Sequence, residues 1–203
     1  MIRYKLEFIA NIINRFEGHS ILDIGCRDCY LNELLTQDLE YLGCDIFQNQ
    51  KGSVNVVGDF QDIHFTEQYD FVVALDVVEH VDDPYTLTDK IFKTSKKYVI
   101  ITLPNLFNYS KKYDYIFNNT LGGKYDFEIE NKLDRHRWIM NYDQIVRFYK
   151  HIALKYDTEL TIHNLKVGFD GGNKVKKLIL NTLNFFLGKK NSVKTLVGVF
   201  CKK

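Results

Sequence analysis

The chain is poor in the residues that punctuate or staple a fold. Only two of its 203 residues are proline, which argues against long disordered linkers. Its four cysteines, Cys26, Cys29, Cys44 and Cys201, are too few to form a disulfide framework at this length, so a reducing cytoplasm is their natural setting. No apolar run approaches the ~20 residues of a membrane-spanning helix. The first 16 residues do not read as a secretion signal, because Arg3, Lys5, Glu7 and Arg15 interrupt them. Repeats, low-complexity tracts and a convincing second domain are also missing. A strong overall charge is absent as well: the net value is +1, so no global field recruits nucleic acid, and none is expected as a partner. The charge is nonetheless uneven. Residues 174–203 carry eight lysines and no acid. Such an end is either a solvated edge or a peripheral contact with a membrane surface or an anionic partner.

What is present is an ordinary globular composition, 45% hydrophobic and 26% charged. Residues 1–203 are long enough for one domain with a full-sized core. The organising stretch is 20–45. Ser20, Ile21, Leu22, Asp23 and Ile24 form a short apolar run with an acid near its end, and Gly25 follows where the chain must turn sharply. Tyr30, Leu31, Leu34 and Leu35 have the spacing of a helix. Tyr41 to Cys44 reads as a second strand closed by Asp45. A glycine turn after one strand and an acid ending the next is a nucleotide-site layout. The turn leaves room for a ligand, and the second acid can accept hydrogen bonds from two ribose hydroxyls.

The remaining elements follow in order. Tyr4, Phe8, Ile9, Ile12, Ile13 and Phe16 make one helical stripe that Gly18 can end. Residues 53–57 suggest a third strand running into Gly58 and Asp59, where Asp59 is either a site residue or simple turn chemistry. Residues 69–75 are nearly all apolar, as expected of a parallel strand covered on both faces. Asp83 and Pro84 then suit the start of a helix. Residues 97–102 form a fifth strand, ending near Asn105. Residues 105–140 are polar and rich in Tyr, Asn and Lys, and a segment this long is more often functional than idle. Asn141 and Gln144 resemble a capping box. Residues 159–167 and 195–201 read as last strands, with an amphipathic, lysine-led helix over 174–190 between them. The order points to an α/β fold with an open, mostly parallel sheet, which binds ligands at the carboxyl ends of its strands. Asp23, Gly25, Asp45, Asp59, Asp76 and Asn105 all fall at such ends.

The stretch from Asp23 through Gly25 to Asp45 resembles motif I of the class I S-adenosylmethionine-dependent methyltransferases, with Arg27 and Cys29 standing at the next two glycine positions of that pattern. DVVEHVDDP, from Asp76 to Pro84, preceded by YDFVV and followed by VIITLPN, is similar to the end of strand four in small-molecule members of that group. The resemblance covers about half the chain. It implies a Rossmann-like seven-stranded sheet with an antiparallel final strand. It further implies S-adenosylmethionine as cofactor and methyl transfer to a small-molecule, glycan or lipid-linked acceptor. In that reading Asp23, Gly25, Cys26, Arg27 and Tyr30 surround the methionine part and Asp45 holds the ribose. Ile46 and Phe60 flank the adenine, Asp59 meets its amino group, and Leu75 and Asp76 border the methyl. His80 is the candidate general base, because histidine titrates near physiological pH, and this favours an oxygen acceptor. Asn105, His136, Arg137 and Trp138 would line the acceptor side.

Two other classes remain open at this level. Arg27 and Cys29 could close the site, leaving a non-catalytic domain that acts as a binding or assembly partner. A nicotinamide-dependent oxidoreductase has a similar sheet but lacks support here from a full G-x-G-x-x-G. The Cys26-x-x-Cys29 pair also fits redox chemistry, though a zinc site would need two more well-spaced ligands, and no metal ligands are assigned.

Overall fold

A computed structural model describes residues 2–127, 129, 134–166, 182 and 188–203. Among these residues seven strands form one sheet: β1 Ser20–Ile24, β2 Glu40–Asp45, β3 Val56–Val57, β4 Tyr69–Leu75, β5 Ser95–Pro104, β6 Thr158–Lys166 and β7 Val193–Lys202. Their spatial order is β3-β2-β1-β4-β5-β7-β6. The first five are parallel, whereas β7 runs antiparallel to both β5 and β6. The fold is α/β, as the apolar runs indicated. Strand order reverses between β1 and β4, which is where open sheets of this kind form a ligand crevice.

Alternation along the strands divides the core into two layers. Ile21, Phe71, Ile100 and Val199 face one side, where α1 Ile2–Ile13 packs its stripe of Ile9, Ala10, Ile12 and Ile13. Leu22, Val72, Val99 and Phe200 face the other side. There α2 Pro84–Thr94 contributes Leu87, Ile91 and Phe92, and α4 Tyr142–Lys155 contributes Ile145, Tyr149 and Ile152. Both helices start where capping chemistry puts them. The Asp83 carboxylate accepts the Tyr85 and Thr86 N–H groups at 2.9 and 3.1 Å, and Asn141 and Gln144 form a reciprocal capping box.

Three expectations need correction. The helix read from Tyr30 to Leu35 is a single 3-10 turn, Asn32–Leu34. Its Leu31 is buried, and the chain beyond it is drawn onto the end of α1, where the Gln37 amide donates to the Ile13 and Phe16 carbonyls. Helical spacing of three leucines is thus satisfied by one turn. The third strand shrinks to two residues. The polar stretch after β5 contains a helix that composition concealed, α3 Tyr109–Asn118, capped by Asn108. The amphipathic helix expected over 174–190 falls almost entirely on residues outside the described ones. No helix among the described residues is long and apolar enough to cross a membrane.

Candidate active site

The turn after β1 keeps a glycine-rich path with only one glycine in it. Gly25 has φ +71°, and its N–H donates to the Cys44 carbonyl at 2.8 Å, tying the turn to β2. A Cβ on Gly25 would come within 2.6 Å of a Val77 methyl. Arg27 and Cys29 take φ +51° and +56°, the left-handed region that costs a side-chain-bearing residue about 1 kcal/mol. Their side chains leave the turn in opposite directions. Cys29 is buried, with its sulfur 3.5 Å from that of Cys26 and donating to the Ser53 carbonyl. Gly43 makes this possible, because a Cβ there would lie 2.9 Å from the Cys26 sulfur. Arg27 instead extends outward and pairs with Asp134 at 3.1 Å.

Asp45, at the end of β2, faces the turn. One carboxylate oxygen accepts the Arg27 N–H at 2.9 Å and the other accepts the Phe47 N–H at 3.3 Å. Each oxygen keeps a further lone pair, so a pre-oriented acceptor for two adjacent hydroxyls stands at the strand end. Ile46 and Phe47 beside it are exposed. The other sequence-derived positions are used differently. Asp23 is buried and accepts the Tyr41 hydroxyl at 2.6 Å. Asp59 closes a turn by accepting the Gln61 N–H at 2.8 Å. Phe60 is enclosed by Phe65 and by the Lys90 ammonium over its ring. Tyr30 lies at the surface under Lys51.

Burial lifts the Asp23 carboxyl from 3.8 to about 7, against the pull of the Tyr41 hydrogen bond. A carboxyl with a raised native pKa binds more protons folded than unfolded between those values. Stability therefore falls as pH rises from about 4 to about 7, and the penalty is fully present above that. Asp23→Asn, which can still accept from Tyr41, should be the more stable protein at pH 8. Its advantage should shrink toward pH 4 by up to about 4 kcal/mol. Urea melts of both proteins at the two pH values check this, and a constant difference would refute it.

Beyond β4 the chain enters a short turn, Val78–His80. Asp76 has φ +56°. Its carboxylate takes the Thr102 hydroxyl at 2.7 Å and the ammonium of Lys5, which reaches in from α1. Leu75, the last residue of β4, is half-buried beside it. Residues 134–138 are fastened over this turn. The Glu79 carbonyl accepts the Arg137 and Trp138 N–H groups at 2.9 and 3.2 Å. The Trp138 indole donates to the Val81 carbonyl at 2.8 Å, and Arg137 pairs with Asp82. His80 and His136 meet edge-on, with ring centres 4.4 Å apart, and Tyr125 lies 4.4 Å from His136. Asn105 stands apart from this group: its amide donates to the Lys190 and Val193 carbonyls, holding β5 to the start of β7.

One contributor was not singled out from sequence: Lys5 comes from a distant part of the chain and carries no local signature. Asp134 and Glu79 were visible beside His136 and His80, but the Asp134 pairing with Arg27 and the burial of Glu79 were not.

A family model described as a methyltransferase domain matches residues 1–169. No curated protein matches the chain. Among solved structures, the small RNA methyltransferase HEN1 aligns over 100% of this chain and 25% of its own, at 16% identity and TM-score 0.67. This chain therefore spans a quarter of the length of that protein. A SAM-dependent methyltransferase from Archaeoglobus fulgidus aligns over 97% of this chain and 94% of its own (18% identity, TM-score 0.58). The plantazolicin methyltransferase BamL aligns over 98% and 83% (12% identity, TM-score 0.61). At these identities the likeness is one of fold.

Proposed function

The chain belongs to the methyltransferase domain family, and from that premise we propose that it moves the methyl group of S-adenosylmethionine to an oxygen of a small-molecule, glycan or lipid-linked acceptor. The observation that carries this reading is Asp45, a half-buried carboxylate at a strand end whose two oxygens are aimed by the Arg27 and Phe47 N–H groups. That donor set suits the two hydroxyls of a ribose. The Gly25 turn would face the methionine part, and the exposed Ile46 would lie along the adenine. Phe60, packed on Phe65, and Asp59, which accepts the Gln61 N–H, would lie on the adenine side.

The cofactor, when bound, supplies an electrophilic sulfonium methyl, and orientation is the main task left to the protein. Asp45 would fix the ribose end. Asp76, locked by Lys5 and Thr102, would shape the wall beside the methyl. With the cofactor bound, an acceptor oxygen would form the new C–O bond as the C–S electron pair stays with sulfur, and its proton would leave to solvent or to a base. Residues 105–140 would form the acceptor side of one methyltransferase-like domain, latched to the cofactor turn through Arg27 and Asp134. The inward course of Cys29 and the outward course of Arg27 count against a turn plugged by its own side chains, and so against a non-catalytic binding module.

Names among the structural neighbours span small RNA and plantazolicin, so the fold sets no acceptor class, and the expected exclusion of nucleic acid gains no support from it. Titration calorimetry of the full chain with S-adenosylmethionine, S-adenosylhomocysteine and NADH tests the proposal. Micromolar binding of the first two alone is the expected result. Folded protein that binds neither would sink it.

A further inference from the structure

The turn after β4 and the segment 134–138 bring together three side chains, of which two keep buried polar atoms without a hydrogen-bond partner among the described residues. Glu79 is 0% exposed, and neither of its carboxylate oxygens has a hydrogen-bond partner among the described residues. The same holds for Nδ1 of His136. His80 directs its Nδ1 to the Arg135 carbonyl at 2.9 Å, with the Asp134 carboxylate 3.4 Å away. With the proton on Nδ1, its Nε2 keeps a free lone pair. One ligating atom from each of Glu79, His80 and His136 lies within 4.8 Å of the other two.

This arrangement is costly as it stands. A buried carboxylate without a donor loses its hydration and gains nothing in return, and the His80 Nε2, with that ring's proton on Nδ1 toward the Arg135 carbonyl, cannot donate to it. Yet the backbone around the group is firmly fixed: the Glu79 carbonyl, the Val81 carbonyl and Asp82 all bind residues 137–138. The fold thus holds three lone-pair donors facing one another.

We propose that Glu79, His80 and His136 bind a divalent first-row transition-metal ion of the Mn2+, Co2+ or Zn2+ type. Two imidazoles favour such ions over Mg2+ or Ca2+, and the carboxylate offsets part of their charge. Ligand atoms about 2.1 Å from a common ion lie about 3–3.5 Å apart, so modest side-chain rotation closes the site. The His80–Arg135 bond is the outer contact that orients a metal-binding imidazole and sets its tautomer.

The ion's role deepens the methyl-transfer reading and rests on it. Three protein ligands leave a coordination position open, and His80 borders the strand end assigned to the methyl. An acceptor oxygen held there would lose its proton to solvent more readily and then attack the methyl carbon as the C–S pair returns to sulfur. His80 becomes a ligand in this scheme, not the general base.

The test is titration of the full chain with Co2+, followed by visible absorption without S-adenosylmethionine, and with Mn2+ by calorimetry. Wild type should saturate at one equivalent with d–d bands of nitrogen and oxygen ligation. Glu79→Gln and His136→Gln, checked for folding by circular dichroism, should each weaken binding at least ~10-fold. The double variant Cys26→Ser/Cys29→Ser should bind as wild type does. If a ligand variant folds poorly, the wild-type spectrum still separates nitrogen and oxygen from sulfur ligation. No binding by folded wild type, unchanged affinity in both ligand variants, or a thiolate charge-transfer band lost in the cysteine variant would each overturn the site. Calorimetry with S-adenosylmethionine in excess chelator separates the two readings: cofactor binding without metal binding defeats only the metal site, and metal binding without cofactor binding defeats only the methyl-transfer reading.

Discussion

Asp45→Ala should weaken S-adenosylmethionine binding about 100-fold, with little change in the thermal unfolding midpoint. A hydrogen bond to a charged group contributes roughly 1.5–3 kcal/mol, and Asp45 offers one to each ribose hydroxyl. Loss of part of that pair already gives two powers of ten. The structural cost is small because the partners Asp45 would leave behind, the Arg27 and Phe47 N–H groups, belong to exposed residues and can bind water instead. Asp59→Ala is the internal comparison. Its carboxylate already closes a turn on Gln61, so its effect on affinity should stay below about 10-fold, the scale of one ordinary hydrogen bond. Calorimetry on the three proteins decides the matter. Equal affinities for wild type and the Asp45 variant would remove the ribose assignment.

Tyr149→Ala should destabilise the protein by about 3–5 kcal/mol, as truncation of a fully buried aromatic usually does. Tyr149 joins α4 to the sheet through both its ring and its hydroxyl. The ring meets Phe200 edge-on at 5.7 Å. The hydroxyl lies 2.9 Å from the Ile101 carbonyl and 3.1 Å from that of Leu196, across the β5–β7 junction. Gly198 makes room for it, since a Cβ there would stand 3.0 Å from the tyrosine ring. At this chain length each kcal/mol moves the midpoint by about 2–4 °C, so a fall of roughly 10 °C is expected. Tyr149→Phe keeps the packing and should cost only about 1–2 kcal/mol. Urea unfolding of both variants provides the measurement. A loss below 1 kcal/mol for the alanine variant would show that α4 is held elsewhere.

Much of the sheet could be read from local patterns because its causes are local. Continuous apolar runs mark strands covered on both faces, and Asp83-Pro84 and Asn141-x-x-Gln144 mark helix starts by chemistry confined to one turn. The 3-10 turn after β1 was misread because Leu31, Leu34 and Leu35 satisfy a helical spacing, while the anchor that prevents a helix, Gln37 on the end of α1, is a tertiary contact. Helix α3 was hidden for the opposite reason. Its Tyr, Lys and Asn residues carry weak periodicity, and Tyr115, Ile116 and Phe117 remain exposed.

The sequence by itself determined the α/β class, the order of the strands along the chain, the glycine turn and the acid at the end of the second strand, since each depends on residues within a few positions of one another. The tertiary structure decided what those residues do. It turned Cys29 inward and sent Arg27 across to Asp134. It paired Asp23 with Tyr41 and gave the Asn105 amide to the backbone of the last strand. It also brought His136 against Glu79 and His80. A burial environment is the sum of contacts from remote segments, and neither the burial of the Glu79 carboxylate nor the meeting of the two imidazoles exists until β4 and the segment after α3 are packed together.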